Sequence, residues 1–243
     1  MKPFVLLATR AEDLPADDEY AQFLRYAGLE PEQLVRVRLE EAPMPRLDLD
    51  ALSGIFVGGG PFNASDPLDK KSAVQRRVEA EFATLLDEVV ARDFPFLGAC
   101  YGIGTLGAHQ GAVIDRTHPE PISVVPVTVT AAGASDPLLA DMPSTFDAFV
   151  GHKEAISHLP ASATLLASSP ACPVQMFRVG ENVYATQFHP ELDVEGITTR
   201  IHAYAEHGYF ASDELDLTLA AVRRVAVSHP SRILRAFVER YAR

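Results

Sequence analysis

Short, largely apolar runs alternate along the chain with longer stretches whose apolar residues recur every three or four positions. Phe4–Ala8, Leu34–Val37, Gly54–Val57 and the run Phe94, Phe96, Leu97 are bounded by polar or glycine-rich segments, the pattern of strands buried on both faces. Between them, Asp17–Gly28 reads as a helix with Phe23, Leu24 and Ala27 on one face and Gly28 as its stop. The spacing of Val74, Val78, Phe82, Leu85, Leu86 and Val89 predicts a helix over 72–92 that leads into the next strand, a β-α-β unit. The segment Glu41–Asp50 is broken by prolines and reads as a surface loop.

Further on, Ile122–Thr130 alternates as a strand interrupted at Pro126, Pro137–Met142 reads as a short helix or turn, and Thr145–Val150 as a strand. Residues 163–168, 174–179 and 183–188 form three short strands joined by turns. Asp213–Val227 and Pro230–Tyr241 close the chain as two helices, the second with Pro230 in its first turn and Ile233, Phe237 and Tyr241 on one face. Strands alternating with helices imply an α/β fold: a three-layer sandwich around a central, mostly parallel sheet. Without an internal repeat or linker, 1–243 reads as a single domain with 213–243 as a helical extension.

Two glycine-rich turns follow these strands. Gly58-Gly59-Gly60-Pro61 is either a tight turn or a place where a substrate approaches backbone N–H groups; no G-K-[ST] follows it, which disfavours a phosphate loop. Gly98-Ala99-Cys100-Tyr101-Gly102, leading into a small-residue helix through Ala108, has the form of a nucleophile elbow. The flanking glycines relieve crowding at a strained turn, and the helix N-terminus favours a thiolate.

Composition narrows the picture. A net charge of −12 with no block of lysines or arginines argues against a nucleic-acid surface. Cys100 and Cys172 are the only cysteines, so no disulfide framework is indicated; Cys172, between Ala171 and Pro173, reads as structural or a bystander. The apolar run at the N-terminus is too short for a signal peptide or a membrane span, which suggests a cytoplasmic protein without membrane contact. Neither H-E-x-x-H nor C-x-x-C spacing occurs, so no metal or other cofactor is expected.

A cysteine nucleophile needs a base and a group to orient it. His189 and Glu191 lie at i and i+2 across Pro190 at a strand's end, so both side chains project to one face, and a Cys-His-Glu triad becomes the leading explanation. With that, the chain resembles a known family. Gly58-Gly59-Gly60-Pro61, Gly98-Ala99-Cys100-Tyr101-Gly102 and Gln187-Phe188-His189-Pro190-Glu191 look like the three ordered signatures of class I glutamine amidotransferases, over about residues 1–200. The likeness is to stand-alone members similar to the glutaminase domain of GMP synthase.

The resemblance implies a flavodoxin-like fold with its site at the carboxyl ends of the strands, and a glutaminase. Cys100 would attack the side-chain amide, His189 would move protons, Glu191 would orient His189, and the N–H groups of Gly60 and Tyr101 would form the oxyanion hole. Gly59, Gly104, His152 and Gln187 are the substrate-binding candidates, and Gly151-His152-Lys153-Glu154 and Glu120-Pro121-Ile122 sit where such domains carry loops facing the site. Where the family elbow continues with a glutamine, this chain has Gly104, which removes a substrate contact and opens space beside the cysteine. No ATP-binding motif is present, so ammonia would be released or passed to a separate ATP-dependent synthetase, and the tail is left as a packing element or a homodimer contact. Two alternatives stay open: a γ-glutamyl peptidase or hydrolase acting on a larger γ-glutamyl compound admitted beside Gly104, and a catalytically silent binding or regulatory module.

Overall fold

The computed structural model describes residues 1–204 and 215–243. Its frame is a nine-stranded sheet. Strands β1 (Phe4–Ala8), β2 (Leu34–Arg38), β3 (Gly54–Val57), β4 (Phe96–Ala99) and β11 (Val183–Thr186) lie in the order β2-β1-β3-β4-β11 and pair in parallel. Beyond β11 the sheet continues through β10 (Met176–Val179), β9 (Ala163–Ser168), β6 (Glu120–Val129) and β7 (Thr145–His152), each antiparallel to its neighbour. Seven of the nine strands therefore run the same way, with β10 and β6 reversed. A second, two-stranded antiparallel sheet pairs β5 (Val113–Asp115) with β8 (Ala155–His158).

Alternation along the parallel strands fills a core on each face. Phe4, Leu6 and Phe56 join one core, where α1 (Asp13–Ala27) and α7 (Ser231–Tyr241) supply Phe23, Ala27, Ile233 and Phe237. Val5, Leu7, Ile55 and Val57 face the other, against α2 (Ala73–Ala91) and α3 (Tyr101–His109). Each layer of helices covers one face, the expected three-layer α/β arrangement. A third cluster packs α5 (Val194–Ala203) and α6 (Leu215–Val222) on Ile122 and Phe149 of the antiparallel half. Among the described residues no helix is long and apolar enough to cross a membrane.

Several boundaries differ from the sequence pattern. α1 begins at Asp13 rather than Asp17, because Pro15 in its first turn needs no hydrogen-bond acceptor for an N–H it lacks. β6 runs unbroken through Pro126, where β7 alone is paired; β9 reaches β6 only at Thr128 and Val129, so the missing N–H faces no partner strand. The helix expected over Asp213–Val227 is α6, ending at Val222, and positions 213 and 214 lie outside the described residues. The short α4 (Ala131–Ala134), the β5–β8 pair and α5 have no counterpart in the hydrophobic pattern. α5 contains Gly196, Ile197, Thr198 and Thr199, poor helix formers. It forms because Asp193 caps the Gly196 N–H and accepts from Gln22 and Tyr26 on α1. The tail does not hang free: Phe237 of α7 packs its ring against Phe56, with centroids 5.1 Å apart.

Candidate active site

β3, β4 and β11 are adjacent and parallel, so the segments leaving their carboxyl ends converge: Gly58–Gly60, Cys100–Tyr101 and Gln187–Glu191. Open α/β sheets place ligands at this edge. Cys100 sits between β4 and α3 at φ 53°, ψ −94°, a strained conformation for a non-glycine residue. Its N–H is tied to the Thr186 carbonyl at 2.8 Å. The turn is so tight that a Cβ on Gly98 would lie 2.9 Å from the Gly102 backbone, which is why that position has no side chain. The residue is left partly exposed, the condition a nucleophile requires.

The 187–191 segment is fixed through its backbone. Gln187 N–H donates to Gln175 O (2.8 Å), His189 N–H to Phe149 O (3.0 Å), and Thr186 Oγ1 to Phe188 O (2.9 Å). His189 feels the charge of Cys100 beside it, and its Nδ1–H donates to Glu191 Oε1 at 2.8 Å. Burial works against a charge on His189, but Glu191 and Cys100 outweigh it and raise the imidazole to about 9. Burial likewise opposes the Glu191 carboxylate, yet His189 and Arg200 hold its pKa well below the usual carboxylate range.

Beneath this trio lies a charged layer. Arg200 of α5 donates from Nη2 to Glu191 Oε1 (2.9 Å) and to Glu19 Oε1 (3.2 Å). Its Nη1 also approaches His189 Nδ1 at 2.9 Å, a nitrogen that cannot accept while it donates to Glu191. Glu19, on α1, further accepts from Arg10 Nε (2.9 Å) and from the Gly59 N–H (3.2 Å). All of these side chains are nearly or fully buried.

A cavity of about 20 Å³ adjoins Cys100, lined by Gly60, Tyr101, Gly104, His152, Glu154 and Gln187 among others. The space expected beside Gly104 is not open. A Cβ there would lie 3.4 Å from Glu154 Oε1 and 3.6 Å from Ala64. Glu154 reaches this position because its carboxylate accepts from the Ala64 and Ser65 N–H groups, at 2.6 and 2.8 Å.

The architecture and the motif order both point one way, and the 17–203 segment matches the model of the glutamine amidotransferase class-I family. The chain belongs to that family. Over 148 residues it is 32% identical to one subunit of the glutamine-hydrolyzing GMP synthase of Thermoplasma acidophilum, covering 60% of this chain and 66% of that protein, just under two thirds. A glutamine amidotransferase-like protein of Salmonella typhimurium is 30% identical over 162 residues, 67% of this chain and 65% of that one. A glutamine amidotransferase structure from Thermotoga maritima superposes with a TM-score of 0.77 at 21% identity, covering 99% of this chain and 98% of that one.

Within this amidotransferase frame the residues expected from sequence fall into three groups. Cys100, His189 and Glu191 come together, with Gly60 and Tyr101 beside them. Gly104 and Gln187 line the cavity, Gly104 as part of the wall that Glu154 completes. Gly59 and His152 turn their polar groups to protein partners instead. The Gly59 N–H goes to Glu19, and the His152 Nδ1–H donates to the Glu154 carbonyl (2.9 Å) while its Nε2 is hydrogen-bonded to Glu120 Oε2 (2.8 Å).

His152, Glu120 and Cys172 place three potential metal-ligating atoms within 4.8 Å of one another. Each is engaged with the protein: Glu120 also accepts from Gln175 (2.7 Å), and Cys172, its thiol pushed up to about 12 by burial, donates to Val174 O (3.5 Å). Glu19, Arg10 and Arg200 are the site residues that the motifs did not single out, and Glu154 enters there only as part of the loop 151–154 facing the site. A signal existed for Glu19, which shares a helical stripe with Phe23 and Ala27 where a charge is out of place; Arg200 carried none.

Proposed function

We propose that this protein hydrolyses the side-chain amide of glutamine through a Cys-His-Glu triad. The observation that carries the reading is the convergence of an elbow cysteine, a buried imidazole and a buried carboxylate at the ends of three adjacent parallel strands. Cys100, having passed its proton to His189, attacks the amide carbon, and the resulting oxyanion takes the N–H groups of Gly60 and Tyr101. Tyr101 opens α3, so its N–H has no acceptor within the helix. Each such donor is worth ~3 kcal/mol in comparable acyl transfers. The tetrahedral adduct collapses as His189 protonates the leaving ammonia, giving a γ-glutamyl thioester. His189 then takes a proton from water, which attacks the thioester and releases glutamate and the thiol. Glu191 remains a carboxylate throughout and holds Nδ1–H.

Glu154 supplies the charge that the amino-acid end of glutamine needs. Its carboxylate is bound by two uncharged backbone amides at the cavity wall, and an α-ammonium satisfies it better. The same side chain closes the space beside Gly104, which favours free glutamine over larger γ-glutamyl compounds. The chain reads as one domain, since a single continuous sheet carries the site and both layers of helices. Ammonia is either released or handed to a separate ATP-dependent synthetase, an arrangement that fits the Thermoplasma relative's being one subunit of a GMP synthase. A reducing cytoplasm, where Cys100 stays a thiol, suits this chemistry.

Purified protein is expected to release ammonia from glutamine, and Cys100→Ala to abolish the release. A wild-type protein inactive on glutamine but active on γ-glutamyl dipeptides would replace this reading with the hydrolase. Inactivity on both, with and without a synthetase partner, would leave only a binding module.

A further inference from the structure

Glu19 has no part in the proton transfers above, yet it touches both halves of the machinery. It is fully buried on the sheet-facing side of α1. On one side its Oε1 accepts from the Gly59 N–H at 3.2 Å, and its carboxylate packs so closely on Gly58 that a Cβ there would lie 2.3 Å from Oε2. The next peptide is anchored as well: Thr9 Oγ1 donates to the Gly59 carbonyl at 3.4 Å. In a trans peptide the carbonyl and the following N–H point opposite ways, so this bond turns the Gly60 N–H away from Thr9. Gly60 lines both cavities that flank Cys100.

On its other side the same Oε1 accepts from Arg200 Nη2, which also donates to Glu191 Oε1, the atom that takes the His189 Nδ1–H. Arg10 completes the group, bonded to Glu19 through Nε and to the Tyr204 hydroxyl through Nη1 (3.0 Å). Charge is balanced in this layer: two guanidinium groups oppose Glu19 and Glu191.

We propose that Glu19 is a positioning residue that registers the oxyanion-hole loop against the base of the triad, holding Gly59 with one contact and Arg200, and through it Glu191, with another. The inference rests on the glutaminase reading for its effect on turnover, but the geometry it invokes is testable without substrate.

Glu19→Gln keeps the size and removes the charge. On glutamine its kcat is expected to fall about tenfold or more with KM within about threefold, because the reacting groups are displaced while the cavity wall is untouched. Independently, the pH profile of Cys100 alkylation by iodoacetamide is expected to change. With Glu19 neutral, Arg200 and Arg10 are left in excess and destabilise the imidazolium, so the His189 transition moves to lower pH by about one unit. A lowered melting temperature with unaltered kcat and alkylation profile would mean a merely structural carboxylate and overturn the proposal.

Should Glu19→Gln fail to fold, Arg200→Lys carries the test. Lysine is one atom shorter, so its nitrogen falls short of the position from which Nη2 bridges Glu19 and Glu191; kcat is expected to fall at constant KM, and an unchanged kcat would count against the proposal. If the wild-type protein releases no ammonia with or without a synthetase partner, the glutaminase reading is lost, and the alkylation profile still decides the role of Glu19.

Discussion

His189 is buried, and burial alone would keep an imidazole neutral. Glu191 and Cys100 reverse that and raise it to about 9, so the imidazolium persists through neutral pH. In the proposed mechanism its proton is the one that departs with ammonia. The value of kcat/KM for glutamine is therefore expected to fall as pH rises through about 9, where that proton is lost, and a pH–rate profile checks it. A profile flat to about pH 10 would mean that another group protonates the leaving nitrogen. Glu154 belongs to the same scale. If its carboxylate receives the substrate's ammonium, Glu154→Gln removes a charge-assisted hydrogen bond worth ~1.5–3 kcal/mol, so KM should rise roughly ten- to hundredfold with a smaller change in kcat. Steady-state kinetics on glutamine separate the two parameters. Equal losses in both would place Glu154 in the chemical step.

Among the elements, α5 and α7 show two ways in which a helix is held. α7 has a strong apolar stripe, Ile233, Leu234, Phe237 and Val238, and buries it on the sheet beside α1. Phe237 contacts Phe4, Phe56 and Tyr241, so Phe237→Ala is expected to cost ~3–5 kcal/mol of stability, read from denaturant unfolding. A cost near zero would mean that this end of the chain is not integral to the core. α5 is the opposite case. Its sequence has weak helix propensity, and tertiary contacts hold it: Asp193 at its N-terminus bonds to α1, while Ile197 and Ile201 sit on the antiparallel strands. The first helix was legible from its own residues; the second was not. It is the second that delivers Arg200 to the triad.

At the scale of the whole molecule, the sheet order decides which loops meet. β3, β4 and β11 are far apart in the chain and adjacent in the sheet, and their carboxyl ends bring Gly60, Cys100 and His189 together. The elbow, the paired His189 and Glu191, and the alternation of buried strands with amphipathic helices could all be read along the chain. Each is a local matter: periodicity, glycines beside a strained residue, side chains two apart on a strand. The contents of the cavity beside Gly104 could not be read in this way, because Glu154 comes from the end of a different strand and is held there by a third segment, Ala64–Ser65. Nor could the partner of Glu19. The sequence by itself determined the fold class and singled out Cys100, His189 and Glu191 as the candidate triad, since these rest on patterns within a few residues of one another. Only the tertiary structure decided that Glu19 and Arg200, 181 positions apart, share one buried ion pair beneath the triad. Pairing of buried charges depends on which elements the sheet makes neighbours, and that is set by the packing of all the layers at once.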